Sequence, residues 1–158
     1  MKLPLQISNQ WKVPGWILLI IGSLTGTLKI IFEDAFPEIR GNVFAFAKDE
    51  IFGQSVYFGW IQTDLVATLC GIVIIIGGLL LTLAREKNED EFIRHTRLSS
   101  LMWAFAIHYI LLLLAFIFIY NTSFLHVMTF GMFTLMIIFI ARFHLVLYFN
   151  KRKALHEK

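Results

Sequence analysis

The sequence predicts an all-α integral membrane protein, a four-helix bundle with a short interfacial helix in its first outer loop. Of its residues, 58% are apolar and only 16% are charged, which lies outside the usual balance of a soluble domain. The apolar residues form four long runs, and the charges are concentrated in the gaps between them, as in transmembrane proteins. Because four spans and their connectors use the 158 residues, we expect a single transmembrane domain over 1–158.

The predicted spans are residues 16–32, 65–84, 98–120 and 124–149. Trp11, Pro14 and Trp16 precede or open the first span and indicate an entry at the membrane interface. The first span would form a helix about 25 Å long, short for a bilayer core of about 30 Å. A cleaved signal peptide is the alternative, but no small-x-small cleavage site follows, so we expect a retained span.

Small residues indicate where the first two helices approach each other. Gly22 and Gly26 form a GxxxG pair in the first span, and Gly77 and Gly78 lie in the second. Such residues let helix backbones come close, so we expect the two helices to touch along part of their length. Cys70, the only cysteine, cannot form an intrachain disulfide and is expected to pack as a small apolar residue.

The outer loop between the first two spans contains four apolar residues at helical spacing between two glycines. They are Val43, Phe44, Ala47 and Ile51, between Gly41 and Gly53. This pattern predicts a short amphipathic helix on the outer membrane surface. It could act as a lid over a ligand or as a cap that hides apolar side chains, and we expect the cap.

Two charges, Lys29 and Asp64, lie at similar depth near the outer ends of the first two spans. They could form an ion pair between the helices or remain two separately solvated interfacial charges. Exposed ion pairs contribute little to stability, and a lysine can extend its charge to the membrane surface. We therefore expect separate solvation.

The connector between the second and third spans, Arg85 to Arg97, is the longest charged stretch. Asp90 lies four residues before Arg94 and Glu91 four before His95, which predicts a continuation of the third helix supported by acid-before-base pairs. Glu91 and His95 could supply two metal ligands, but a metal site needs more, so we predict no metal. The residues predicted to bind a partner are Glu86, Asp90, Glu91, Arg94 and Arg97.

The third and fourth spans are joined only by Asn121 to Ser123, which requires an antiparallel hairpin. Within these spans, His108, Arg142 and His144 lie in the inner half or near the midplane. Ionisable side chains at that depth are costly and suggest a functional site. The alternative is structural: the histidines would bond to neighbouring helices, and Arg142 would extend to the inner surface.

Two histidines could also hold a haem between helices. Their predicted depths differ by about 5 Å, however, so we predict no cofactor. Met128, Met132 and Met136 recur every four residues, which indicates adaptable packing more simply than a path for copper.

The motifs of several enzyme classes are absent from the sequence: GxxxxGK[ST], HExxH and GxSxG. No basic helix lies free of the apolar runs, so direct binding of nucleic acid is not expected. These absences predict a protein that is not an enzyme.

The distribution of basic residues predicts the orientation in the membrane. Ten bases fall in the two tails and the connector, namely Lys2, Lys12, Arg85, Lys87, Arg94, Arg97, Lys151, Arg152, Lys153 and Lys158, against only Arg40 and Lys48 in the outer loop. Because short loops rich in Lys and Arg stay in the cytoplasm, we predict a multi-pass protein of the cell inner membrane with both termini cytoplasmic.

Two stretches carry a resemblance to a known family: KVPGWILLIIGSL near the start, and the long run that begins GGLLLTLAREKNEDEFIRHTRLSSL and ends in ARFHLVLY. They resemble a set of small, uncharacterised four-span membrane proteins of Gram-negative bacteria. In those proteins an acidic E-D-E-F-I stretch likewise precedes the third helix, and an Arg-Phe-x-x-x-Leu-Tyr pattern ends the fourth. The resemblance implies a location beside small helix-turn-helix regulators and hence a regulatory partnership.

Two functions from different classes remain open at this point. The first is a non-enzymatic membrane protein whose connector and basic tail bind a soluble cytoplasmic partner. The second is a helical bundle that binds a small solute or a cofactor such as haem with His108, Arg142 and His144. A homo-oligomer is compatible with both, and membrane lipid is a partner in either case.

Overall fold

In a computed structural model, the described part of the chain contains four long helices and one β-hairpin. The structure describes residues 6–32, 39–48, 56–87 and 90–156. The elements in chain order are α1 (Lys12–Ile31, after a single 3-10 turn at Asn9–Trp11), β1 (Arg40–Lys48), β2 (Val56–Asp64), α2 (Leu65–Leu83), α3 (Glu91–Phe118) and α4 (Thr122–His156). The chain divides into two compact units, one of Met1–Leu19 with Ile75–Lys158 and one of Ile20–Ile74.

The four predicted spans are confirmed as helices that are long and apolar enough to cross a membrane. The qualifying stretches are Asn9–Ile31, Leu65–Leu83, Glu91–Phe118 and Thr122–Arg152. At 1.5 Å per residue, the 28 residues of α3 extend about 42 Å, more than the roughly 30 Å of a bilayer core. Because α3 begins at Glu91, it includes the second half of the connector, as predicted.

The loop between the first two predicted spans corrects the predicted fold class, because it forms an antiparallel hairpin and not a helix. Strands β1 and β2 pair in the register Arg40↔Asp64, Phe44↔Trp60 and Lys48↔Val56. Exposure alternates from residue to residue along most of β1, the period of two that a strand requires. The fold is therefore not all-α. Ile51 and Gly53 of the predicted helix lie outside the described residues.

Aromatic and β-branched residues explain why this loop pairs as strands. Phe44 and Phe46 alternate with smaller residues in β1, and Tyr57, Phe58 and Trp60 lie in β2. Such side chains favour the pleated surface of a sheet. Val43, Phe44 and Ala47, three of the four residues with helical spacing, lie in this one strand.

In the unit Ile20–Ile74, small residues bring α1 and α2 together as predicted. A Cβ atom placed on Gly22 would lie 2.9 Å from Ile74 Cγ1 and 3.2 Å from its backbone nitrogen, so a larger residue would require α2 or the Ile74 side chain to shift. One turn later the Thr25 hydroxyl lies 3.4 Å from Cys70 Sγ. Cys70 thus packs between helices and has no disulfide partner.

In the other unit, α1 and α2 approach each other closely at Gly15 and Gly77. A Cβ atom on Gly77 would lie 2.6 Å from the backbone nitrogen of Leu19 and 3.0 Å from the carbonyl oxygen of Gly15. On the neighbouring position, Gly78 is covered by the side chain of Met136 from α4. Met136 therefore packs between helices as predicted, whereas Met128 and Met132 are 41% and 70% exposed.

Helices α3 and α4 form the predicted antiparallel hairpin. The connection has the expected three residues but lies two positions earlier than predicted, from Ile119 to Asn121, and Asn121 adopts a φ of 59°. Asparagine tolerates this left-handed conformation better than most residues. Beside the turn, the rings of Phe116 and Phe124 lie 4.7 Å apart.

Candidate functional site at the charged end of the helices

The charged connector is tied to the segment that precedes α1. Ile7 pairs in parallel with Ala84, through a bond from Ile7 N to the Leu83 carbonyl (3.1 Å) and another from Arg85 N to the Ile7 carbonyl (3.0 Å). Arg85 Nε also donates to Gln6 Oε1 at 2.9 Å. The chain that leaves α2 is therefore held by a short stretch of backbone pairing.

An ion pair between Lys12 and Glu86 adds to this connection. Both side chains are mostly buried, with exposed fractions of 22% and 16%. Glu86 was predicted to bind a partner, but in the structure its carboxylate is used within the protein.

Arg97 is likewise used internally, at the end of α2. Its guanidinium donates to the carbonyl oxygens of Thr82 (2.8 Å) and Ala84 (3.0 Å), and its Cζ lies 5.1 Å from the centre of the Phe143 ring. The last carbonyls of a helix have no partner within the helix and carry partial negative charge, so a cation is stabilising there. Arg97 thus caps α2 while belonging to α3.

Asp90 has a different role from the predicted pairing with Arg94. It is the N-cap residue of α3, where its Oδ1 accepts a hydrogen bond from the backbone nitrogen of Ile93 at 2.9 Å. An acid at this position also interacts favourably with the positive end of the helix dipole. Among the described residues, the Arg94 side chain forms no ion pair, and its Nε is buried without a hydrogen-bond partner.

The outward face of the first turns of α3 remains exposed. We call Asp90, Glu91, Phe92 and His95 the connector surface, since all four are exposed while Thr96 is buried on the inward face. Phe92 is 49% exposed and was missed by the sequence analysis. The signal that could have found it is an aromatic residue placed among charges, outside the predicted span.

His144 and Arg142 lie close to this end of the unit, each with its own partners. His144 Nδ1 lies 2.9 Å from the Ile140 carbonyl oxygen, and its ring meets that of Trp16 edge-on at 5.1 Å. The Arg142 guanidinium lies 4.9 Å from the Trp103 ring and 3.5 Å from the Ser99 carbonyl oxygen. Both side chains contact neighbouring helices, but the hydrogen bond of His144 is within α4, and Arg142 lies against α3, so neither contact is the one that the structural alternative described.

His108 lies elsewhere, in an apolar cavity of about 460 Å³ between α3 and α4. Thr134 and Gly131 lie opposite it, and neither Arg142 nor His144 lines this cavity. His108 follows Trp103, the contact of Arg142, by five residues, or about 7.5 Å along the helix. The structure therefore does not bring the three predicted residues into one site.

In the other unit, Lys29 and Asp64 form an ion pair, so the expectation of two separately solvated charges is wrong. The side chains are only 16% and 25% exposed, and burial at this level favours pairing over separate solvation. Asp64 also caps α2, because its Oδ1 accepts a hydrogen bond from the backbone nitrogen of Val66 at 3.0 Å.

No cluster of three His, Cys, Asp or Glu side chains that could hold a metal ion occurs within the part of the chain that the structure describes. The chain was also compared with protein-family models, curated proteins and solved structures, and none of the three comparisons found a match.

Proposed function

We propose that the chain is a multi-pass protein of a bacterial inner membrane, that it is not an enzyme, and that it binds a soluble cytoplasmic partner through its connector. Four helices long and apolar enough to cross a membrane support the first part. The orientation is supported by the ten bases in the tails and connector, against Arg40 and Lys48 in the outer loop.

The observation that carries the proposal is the connector surface. It combines an exposed aromatic ring, Phe92, with the charged or polar side chains of Asp90, Glu91 and His95. Protein interfaces commonly have an aromatic anchor surrounded by polar residues.

The contacts around the connector surface give it a fixed shape. Asp90 caps the start of α3, and Arg97 joins α3 to the end of α2. A surface that is ordered before binding loses less conformational entropy when a partner docks. The proposed site therefore leaves out Glu86 and Arg97, whose side chains bind other parts of the protein, and adds Phe92 and His95.

The partner class comes from the resemblance described above, which implies a small helix-turn-helix regulator. In this arrangement the membrane protein would hold the regulator at the membrane. The nucleic acid would be contacted by the regulator alone.

Purification of the full-length protein from its own membranes in mild detergent tests the proposal. We expect one soluble protein to co-purify with the wild type and at least about tenfold less of it with Phe92→Ser, since an anchor residue contributes roughly 2 kcal/mol or more. Gln10→Lys is the matched control, because Gln10 is exposed in the 3-10 turn outside the connector surface.

Both variants should unfold at the wild-type temperature, which separates a lost contact from a lost fold. Equal recovery of the soluble protein with Phe92→Ser and wild type would show that the connector surface is not the docking site.

A further inference from the structure

The β-hairpin carries four aromatic rings on one face. Phe44 of β1 pairs with Trp60 of β2. The rings of Phe44 and Trp60, of Phe44 and Phe46, and of Phe46 and Phe58 meet edge-on with centroids 5.6–5.8 Å apart. The exposed fractions of Phe44, Phe46, Trp60 and Phe58 are 50%, 71%, 73% and 72% in that order. We call these four residues the aromatic face.

Such a surface is unfavourable in water. The rings contact one another but leave at least half of each side chain uncovered, and contiguous exposed apolar patches mark sites of interaction with proteins or membranes. An isolated two-stranded hairpin is also only marginally stable in water. Phe58 adopts a φ of 53°, a conformation that residues other than glycine rarely adopt. Residues in such conformations are found preferentially at functional sites.

The base of the hairpin is fixed to the start of α2. Asp64, the last residue of β2, is followed directly by Leu65, the first residue of α2. The backbone nitrogen of Leu65 donates to the carbonyl oxygen of Ile39, just before β1, at 3.0 Å. No linker therefore separates the hairpin from a helix of the proposed membrane domain.

We propose that the aromatic face lies in the phospholipid headgroup layer of the outer leaflet, with the hairpin along the membrane surface. This inference rests on the proposed membrane topology. Strands of nine residues extend about 30 Å, whereas each headgroup layer is only about 6 Å thick. Both ring pairs can enter the layer only if the hairpin lies flat.

Charge favours lipid over a second copy of the chain as the occupant. Arg40 and Lys48 are the first and last residues of β1, so a base flanks Phe44 and Phe46 at each end of the strand. Basic residues that flank aromatic rings suit a layer of lipid phosphates. Two copies stacked antiparallel through this face would place the bases of one strand near those of the other.

Spin labels on single cysteines test the depth of the hairpin in the full-length protein. In a Cys70→Ser background, one label replaces Phe46 and a matched label replaces Ala47, the adjacent residue, which the two-residue period of a strand places on the other side of β1. The protein is reconstituted in vesicles of phosphatidylethanolamine and phosphatidylglycerol. Collision rates are measured with oxygen, which concentrates in lipid, and with a water-soluble nickel chelate.

We expect the ratio of oxygen to nickel accessibility to be several-fold higher at Phe46 than at Ala47. Equal ratios at the two positions would overturn the proposal, and spin–spin broadening between copies at Phe46 would overturn it in favour of a second copy. Gln62 pairs with Asn42 beside the rings. A label at Gln62 should give the same high ratio of oxygen to nickel accessibility as a label at Phe46, and this substitution removes no aromatic ring.

A third label at Leu113 separates this proposal from the one on which it rests. Leu113 is 60% exposed in the middle of α3 and should be shielded from nickel if α3 crosses the membrane. Nickel access at Leu113 would contradict the membrane topology itself. A shielded Leu113 with equal ratios at Phe46 and Ala47 would contradict only the position of the aromatic face.

Discussion

Among single residues, Arg97 joins three elements of one unit. It extends from α3 to two carbonyl oxygens at the end of α2 and to the ring of Phe143 on α4. The guanidinium is a planar fork with several donors, so it can bond two carbonyls at once while stacking on a ring. A lysine has one compact charge and cannot reproduce this arrangement.

Arg97→Lys should therefore lower the free energy of unfolding by about 2 kcal/mol, the scale of one charged hydrogen bond. The measurement is thermal unfolding of the purified protein in detergent. Lys87→Gln is the control, because Lys87 is exposed in the same connector and should change stability by less than about 0.5 kcal/mol. An unchanged unfolding temperature for Arg97→Lys would mean that the guanidinium contributes no net stability at the end of α2.

At this scale the sequence located polar residues but not their partners. The depths of Lys29 and Asp64 were predicted to be similar, yet depth does not say which way each side chain faces around its helix. His108 and His144 show the same limit, because their place along the chain gave no hint that Trp16 would contact only one of them. Rotation of a helix about its axis is set by packing against other helices.

Among the helices, the contact of α1 with α2 depends on glycine. The atoms nearest a Cβ on Gly77 are backbone atoms of Leu19 and Gly15, which cannot move aside by a change of rotamer. In contrast, nothing lies within 4 Å of a Cβ on Gly131 in α4.

Gly77→Ala should therefore lower the free energy of unfolding by about 1–3 kcal/mol, the usual effect of overpacking. Gly131→Ala should be neutral or stabilising by up to about 1 kcal/mol, because alanine favours helix more than glycine does. Unfolding of both variants in the same detergent gives the comparison. Equal stability of the two would show that α1 and α2 can separate at Gly77 without cost.

The hairpin is the element that the sequence analysis missed. Phe44 pairs with Trp60, sixteen residues later, and a local search for helical spacing does not include that partner. Three of the four residues that predicted the helix, Val43, Phe44 and Ala47, lie in β1. Alternation of Phe44 and Phe46 with smaller residues was the available signal, and it is short enough to be read either way.

For the whole molecule, the predicted orientation can be tested by labelling cysteines in intact cells. In a Cys70→Ala background, a cysteine at Ser123, which is exposed at the start of α4, should react with a membrane-impermeant reagent. One at Gln10, exposed before α1, should react only after the cells are opened. The reverse pattern would contradict the orientation predicted from the basic residues, and with it a cytoplasmic connector surface.

The number and position of the long helices could be predicted because an apolar run of about 20 residues has few other uses. Their ends were less accurate: α1 begins at Lys12 and α4 continues to His156, since a helix does not stop where its residues become polar. The candidate site was predicted only as a segment. Which connector residues face outward depends on contacts such as that between Lys12 and Glu86, which are 74 positions apart.

The pairing of Ile7 with Ala84 bears on the order in which the protein is completed during synthesis. Ile7 bonds to the carbonyl of Leu83 and to the nitrogen of Arg85, residues that leave the ribosome long after it does. At about 5–20 residues per second, the segment before α1 waits roughly 4–15 s for these partners. During that interval α1, the hairpin and α2 are synthesised while the segment before α1 lacks its backbone partners. An early part of the chain therefore reaches its final position only after much of the later chain has been made.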